Sequence, residues 1–169
     1  MLDAIDSKAI ASLQKDGRIS WADLGEALGL SAPAAAERVR KLTDNGTIRS
    51  IAALIDPDTA GFPVLAFVAV TLVAQDVRAG FLEAIRRHDL IQECHHVAGD
   101  DDFLLKVRCR SLPELERLLA DELKGRLGIA RTRTTIVLGT AKETVRLPVG
   151  PAPARRATAA RSRAARPTR

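Results

Sequence analysis

Apolar residues recur at helical spacing through the first 45 positions and at strand spacing after residue 63. Ile5, Ala9, Ile10 and Leu13 form one stripe, which predicts a helix from an Asp3 cap through Lys15, closed by Gly17. Leu24, Ala27 and Leu28 form a second stripe between Ser20, a residue able to N-cap, and Gly29, which takes a left-handed backbone at little cost. Ser31 caps a third helix that tolerates Pro33 in its first turn, buries Ala35, Val39 and Leu42, and ends at Asn45-Gly46. A helix, a short glycine turn and a second capped helix make the pattern of a helix-turn-helix. Gly25, inside the earlier of the two, suits close approach of a neighbouring helix. The bland alternative is an αα-hairpin within an ordinary bundle.

Residues Ile48 to Ile55 are rich in β-formers and predict a strand leaving the head, half of a wing, with a linker through Asp56-Pro57 and Gly61. Val64–Gln75 then reads as a strand apolar on both alternations, so both its faces need cover. Asp76 is expected to cap a helix to His88, with Phe81, Leu82 and Ile85 inward. Ile91–Ala98 and Phe103–Arg110 are strands joined by the turn Gly99-Asp100-Asp101-Asp102. Ser111 and Glu114 form a capping box for a helix that buries Leu115, Leu118, Leu119 and Leu123 and stops at Gly125 and Gly128, before a last strand over Ile129–Leu138.

The order β-α-β-β-α-β is ferredoxin-like. The expected fold is therefore α+β: a winged-type helix-turn-helix over 1–47, a strand and linker over 48–62, a βαββαβ domain over 63–147, and a basic tail over 148–169. Two helices cover only one face of a four-stranded sheet. The first strand, together with Leu104, makes the other face partly apolar, and a second copy of the same sheet is its simplest cover. Such a two-fold dimer would set two recognition helices on half-sites about one turn of DNA apart, ~10 bp, or a multiple of that.

Charge changes this picture in one place. The net charge is +5, but residues 151–169 hold six arginines and no acid; subtracting those six leaves −1 on the first 150 residues. The tail, PAPARRATAARSRAARPTR, has too little hydrophobicity to pack and reads as a disordered arm that touches phosphates without sequence preference. Two cysteines, Cys94 and Cys109, are too few for a disulfide framework and favour a reducing, cytoplasmic setting. The start of the chain resembles no secretory signal, and the longest apolar run, Val64 to Ala74, is too short for a membrane span. Cys94, His95, His96 and Cys109 match no metal-ligand spacing, since Cys94 and His95 point to opposite faces of a strand. Neither a metal, a cofactor nor a catalytic residue is expected.

With Ala35, Val39 and Leu42 inward, the third helix turns Pro33, Glu37, Arg40 and Asp44 outward, flanked by Ala36 and Lys41. That side is expected in the major groove, with Ser31 and the helix N-terminus near a phosphate. Arg40 and Lys41 are the best candidates for base-edge or phosphate contacts; the alternative for each is a solvated surface cation. Alanines 34–36 can meet thymine methyls but make no hydrogen-bonded readout, so recognition is expected to lean on DNA shape and bending. The turn at Gly99 could offer N–H groups to the carboxylate of an amino acid, and a neighbouring aspartate could pair with its ammonium; it could equally be only a hairpin turn.

Residues LDAIDSKAIASLQKDGRIS, DLGEALGLSAPAAAERVRKLTDNGTIRSIAALIDPDTAG, HHVAGDDDFLLKV and GIARTRTTIVL, in that order over 1 to about 147, together resemble the Lrp/AsnC transcription factors, the leucine-responsive and asparagine-regulator family. The resemblance implies a DNA-binding regulator whose second domain dimerises, assembles to tetramers or octamers, and binds a small effector, often an amino acid, at subunit contacts. Gly99 and Asp102 match the family's Gly-x-x-Asp, with Asp100 beside them and Thr132 and Thr134 as hydroxyl donors from the same or a neighbouring subunit. Arg38 matches the arginine of the family's recognition helix, or else braces the fold against Glu26 or Asp23. The basic tail is outside the family pattern. Two other readings stand beside this one: a nucleoid-associated architectural protein without effector, and an enzyme resembling the siroheme decarboxylases. Those share the two-domain plan but carry a His- and Arg-bearing segment missing here.

Overall fold

A computed structural model describes residues 2–123 and 127–149. The expected helix stop at Gly125, and the tail from Gly150 onward, lie outside the described residues. The chain forms two units: Met1–Ala52 with the chain from Thr144 onward, and Ala53–Glu143.

The first unit is built on three helices, α1 (Ala4–Lys15), α2 (Trp21–Leu28) and α3 (Ala32–Asp44). Each start is fixed by the residue before it. Asp3 and Asp6 exchange side-chain-to-backbone bonds, Asp6 N–H to Asp3 Oδ1 at 2.7 Å and Asp3 N–H to Asp6 Oδ2 at 3.2 Å. Ser20 accepts from Asp23 N–H and Ser31 from Ala34 N–H. Gly29, at φ +68°, turns the chain so that the N–H groups of Gly29 and Leu30 reach back to Glu26 and Gly25 carbonyls. The core is Ala9, Leu24, Leu28, Ala35, Val39 and Leu42, with Ile5, Ile10, Leu13, Ile19, Leu30 and Ile48 at its margin.

Two expectations fail in this unit. Ala27 is exposed; the inward stripe of α2 is Leu24, Gly25 and Leu28, because Gly25 rather than a larger residue meets the turn and the start of α3. The strand expected over Ile48–Ile55, and with it a wing, is absent among the described residues. A strand exists only against a second backbone, and none pairs with this segment. Ile48 instead returns its N–H to Leu42 O and packs on the helical core.

The second unit has one antiparallel sheet, β1 (Val64–Leu72), β2 (Ile91–His96), β3 (Phe103–Cys109) and β4 (Ile129–Ile136), in the order β2-β3-β1-β4. Helix α4 (Arg78–Arg86) joins β1 to β2, and α5 (Leu112–Arg117) widens into a π-helical segment, Leu118–Leu123, before β4. This is the expected ferredoxin-like order. Both helices pack on one face, over Ala66, Val68, Val70, Phe103, Leu105, Val107 and Cys109, with Phe81, Ile85, Leu115, Leu118 and Leu123 from above. Each large side chain buried there contributes roughly 1.5–3 kcal/mol.

Two local details differ from expectation. Asp76 does not cap α4: the chain first turns, Arg78 N–H bonding Gln75 O, and the helix starts after Val77 with no side-chain cap. The capping box of α5 is offset by one residue, since Ser111 accepts from Glu114 N–H while the Glu114 carboxylate accepts from Arg110 N–H at 2.6 Å.

Candidate DNA-binding face and ligand site

Helix α3 presents the outward residues that its periodicity requires. Arg40 and Lys41 are 68% and 73% exposed in their side chains, and Glu37 lies between them, one oxygen paired with Arg40 and the other 3.8 Å from Lys41 Nζ. The two cations thus share an internal counter-ion at the surface. Pro33 and Ala34 are exposed at the start of the helix, Ala36 is half-buried, and the Ser31 hydroxyl is engaged as the cap.

Arg38 is turned the other way. Its Nη1 donates to Asp3 Oδ2 and to Asp6 Oδ1, both at 2.6 Å, tying α3 to the first turn of α1. The acids expected as bracing partners are not the ones used: Asp23 is hydrogen-bonded by the Ser20 hydroxyl instead. The Asp6 N–H, and then the guanidinium, hold the Asp3 carboxyl below its usual range, while the two carboxylates push Arg38 further up. A guanidinium held in this way ties α3 to the start of α1, the bracing role expected of Arg38 but with Asp3 and Asp6 as its partners.

In the sheet unit, the Gly99–Asp102 turn closes on the end of β1. Asp102 N–H bonds Val70 O at 2.9 Å, and Asp102 Oδ2 accepts from Leu72 N–H at 2.8 Å, just past the last ladder pair with β3. Gly99 lies at φ +143°, where a side chain would be strained. Thr132 is opposite Val70 on the far side of β1, so the structure brings the turn and Thr132 to the same end of the sheet; Thr134 is two residues further in, opposite Val68. Both threonines stand on the helix-covered face. Asp100 is exposed, and its carbonyl accepts from Arg131.

The residue that periodicity passed over is Asp101. Only 8% exposed, it accepts from Thr71 Oγ1 and Arg131 on one oxygen and from Arg133, at 2.7 Å, on the other. These groups share the open face, because Arg131 and Arg133 pair in register with Thr71 and Ala69. The legible signal was two arginines at strand spacing against three consecutive acids. A second cluster on the same face joins Lys106 to Glu93 and Glu143, and Arg108 to Glu143. Glu143 raises the Lys106 ammonium, which in turn lowers Glu143. A cleft of about 430 Å³ lies on the helix side, where His88 Nε2 meets Glu122 Oε2 at 2.5 Å. It includes none of the residues expected at the ligand site.

Among the described residues no three His, Cys, Asp or Glu side chains converge as metal ligands, and no helix is long and apolar enough to cross a membrane. Cys94 and Cys109 are free thiols whose ionisation burial opposes, Cys109 being pushed up to about 11.

Residues 2–43 match the AsnC-type helix-turn-helix domain, and residues 65–147 the Lrp/AsnC ligand-binding domain. The chain is 41% identical over 145 residues to the leucine-responsive regulatory protein of Haemophilus influenzae, covering 85% of this chain and 87% of that one. It is 40% identical over 148 residues to the protein of that name in Escherichia coli K12, covering 86% and 90%. Among solved structures, a transcriptional regulator of Neisseria meningitidis in complex with L-Met superposes with a TM-score of 0.82 at 29% identity, over 88% of this chain and 97% of that one. The leucine response regulatory protein LrpA of Mycobacterium tuberculosis gives 0.79 at 31% identity, over 88% and 100%.

Proposed function

This chain belongs to the Lrp/AsnC family of DNA-binding transcriptional regulators, and from that premise we propose how its parts act. Helix α3 enters the major groove with Arg40 and Lys41 toward phosphates and base edges and Glu37 between them. The alanines at 34–36 meet thymine methyls, and sequence preference comes largely from how easily the site bends. The observation that supports this most directly is the outward face of α3, cationic and exposed while Arg38 fixes the helix from behind.

A small molecule, an amino acid or a close relative, binds at the subunit interface formed by the Gly99–Asp102 turn. Asp102 or Asp100 takes the ammonium, backbone N–H groups at Gly99 take the carboxylate, and Thr132 and Thr134 supply hydroxyls. The neighbour crystallised with L-Met supports an amino acid as the class. The subunits are homodimers that cover each other's open sheet face and assemble further to tetramers or octamers. Residues 1–47 act as the DNA head, 48–62 as linker and 63–147 as effector and assembly domain. The protein works in the cytoplasm on the nucleoid, with no catalytic step.

The test is a DNA-binding titration of the full chain on its own upstream region, with and without a panel of amino acids. An affinity shift with one amino acid, abolished by Asp102→Ala while unliganded binding persists, is the expected result. A shift that survives Asp102→Ala moves the ligand elsewhere, and no preference for the upstream region over unrelated duplex overturns the regulator.

A further inference from the structure

Arg131 and Arg133 stand two positions apart on β4, an edge strand of the sheet, in register with Thr71 and Ala69 of β1. One carboxylate on the open face holds both. Arg133 Nη2 donates to Asp101 Oδ2 at 2.7 Å, and Arg131 Nη2 lies 3.3 Å from Asp101 Oδ1 and 3.4 Å from the Asp100 carbonyl oxygen. The Thr71 hydroxyl donates to Asp101 at 3.2 Å. Asp101 is 8% exposed, whereas the arginine side chains are 59% and 66% exposed, so a buried acid anchors two guanidinia that reach water. Two like charges on long surface side chains would ordinarily turn away from each other; the shared carboxylate keeps these side by side. A guanidinium carries five N–H donors in a planar fork. Each of these uses only Nη2 on the protein, and Nη1 and Nε of both make no hydrogen bond among the described residues. The cluster thus presents two partly unused forks, already ordered, with one positive charge left over.

We propose that Arg131 and Arg133 receive the side chain of the ligand, and that the ligand is an amino acid with an acidic side chain, aspartate or glutamate. This rests on the reading of the Gly99–Asp102 turn as the ligand site. Arg131 touches that turn directly, through the Asp100 carbonyl, so the pair lies beside any molecule the turn holds. The turn's N–H groups and a carboxylate serve the two charges that every amino acid carries, and the arginines meet a third. Asp101 is spent on the guanidinia. Asp102 gives one oxygen to Leu72 N–H, which leaves its other oxygen and the exposed Asp100 carboxylate for the ammonium. Charge then selects the class of side chain. One carboxylate cancels the positive charge left over and fits the guanidinium fork. A phosphate dianion would overshoot that charge, an apolar side chain would leave both forks without a partner, and a cationic one would face like charge. Arginine forks equally match an acid of a second copy of this chain, an occupant that the experiment separates from the ligand.

Isothermal titration calorimetry on the full chain compares L-aspartate and L-glutamate with their near-isosteric amides, L-asparagine and L-glutamine, and with L-leucine and L-methionine. At least one acid is expected to bind about 10- to 100-fold more tightly than its amide, the usual worth of hydrogen bonds to a charged partner. The double variant Arg131→Gln/Arg133→Gln should shrink that gap to about threefold or less. Lysine at both positions keeps the charge without the fork and should retain an intermediate gap. Far-UV circular dichroism establishes that each variant is folded; should the glutamine pair fail to fold, the lysine pair and the gap in the natural chain carry the test. Amides that bind within about threefold of their acids, or leucine or methionine bound more tightly than either acid, overturn the acidic ligand and leave the turn as an amino-acid site. A gap that the glutamine pair leaves unchanged overturns the arginines as its source. Sedimentation velocity without ligand covers the second copy: dissociation of the glutamine pair with its gap retained gives the arginines to the subunit contact and overturns the proposal. If the natural chain binds none of these amino acids, the reading of the turn as their site fails, and this proposal with it.

Discussion

Alanine at Gly25 sets two effects of opposite sign against each other. A β-carbon there would stand 2.8 Å from Leu30 O, 3.1 Å from Ala32 N and 3.2 Å from Ser31 C, all backbone atoms of the α2–α3 turn. That turn is itself held, by Leu30 N–H on Gly25 O at 2.8 Å and by the Ser31 cap. Helix propensity alone favours alanine by about 1 kcal/mol. Overpacking costs about 1–3 kcal/mol, and backbone neighbours that cannot rotate away place this case in the upper half of that range. The net expectation is a loss of about 1–2 kcal/mol. Gly80, inside α4, is the matched control: a β-carbon there would meet nothing within 4 Å, and its φ is not positive. Gly80→Ala should therefore stabilise by about 0.5–1 kcal/mol. Trp21, the single tryptophan, opens α2 and reports urea unfolding of the head by fluorescence, while the part of the far-UV circular dichroism transition that Trp21 does not share reports the sheet unit, to which α4 belongs. Gly25→Ala should also weaken DNA binding, because the clash displaces the start of α3. A Gly25→Ala protein as stable as the natural chain, or more so, would refute the claim that this glycine sets the approach of the turn to α2.

Three further outcomes rest on the same geometry. The Asp3 carboxyl is held low by the Asp6 N–H and by Arg38, so its contribution is fully present above the ordinary value of 3.8 and is lost as pH falls through its depressed value; Trp21 fluorescence should show an acid-side loss of head stability that Asp3→Asn flattens. Glu37→Gln frees Arg40 and Lys41 from their shared counter-ion and should tighten binding to any duplex several-fold, with a salt slope steeper by about one; unchanged affinity would mean the ion pairs are immaterial. Asp101→Ala removes the acceptor of Thr71, Arg131 and Arg133 and should cost the sheet unit about 1–2 kcal/mol, discounted because both guanidinia reach water, as read from its denaturation midpoint.

The parts that were legible are those written in neighbouring residues. Ser20, Gly29 and Ser31 announce the ends of α2 and α3 because capping joins groups three or four positions apart. The four strands were legible from alternation, and the ferredoxin-like order emerged once the Gly99–Asp102 turn was seen between two of them. The features that escaped depend on distant partners. Ile48–Ile55 has strand composition, but composition supplies no second backbone to pair with. The partners of Arg38 lie 35 and 32 residues away, and nothing local distinguishes Asp3 and Asp6 from Asp23 and Glu26. Asp101 was indistinguishable from its two neighbouring aspartates until the register set Arg131 and Arg133 across from Thr71 and Ala69. Asp76 failed because the turn after β1 moved the start of α4 past it.

The open sheet face also bears on assembly. Its middle is apolar, with Leu65 and Ala69 buried and Phe67 and Leu104 half-buried, whereas its ends are charged. Charged ends usually count against burial, because an ion moved out of water without a partner costs several kcal/mol. Here each ion already has a partner within the subunit, although Asp101 serves two arginines and leaves one positive charge over. Lys106 and Arg108 share Glu143, Lys106 also meets Glu93, and Asp101 takes both Arg131 and Arg133. A face of this kind can be covered by its own copy across a two-fold axis with no ion left unpaired, and the apolar middle supplies the gain. The polar ends then fix register, since a slipped copy would set arginine against arginine. The same layout explains why β1 is apolar on both alternations. One side faces the two helices, and the other forms the apolar middle of the open face.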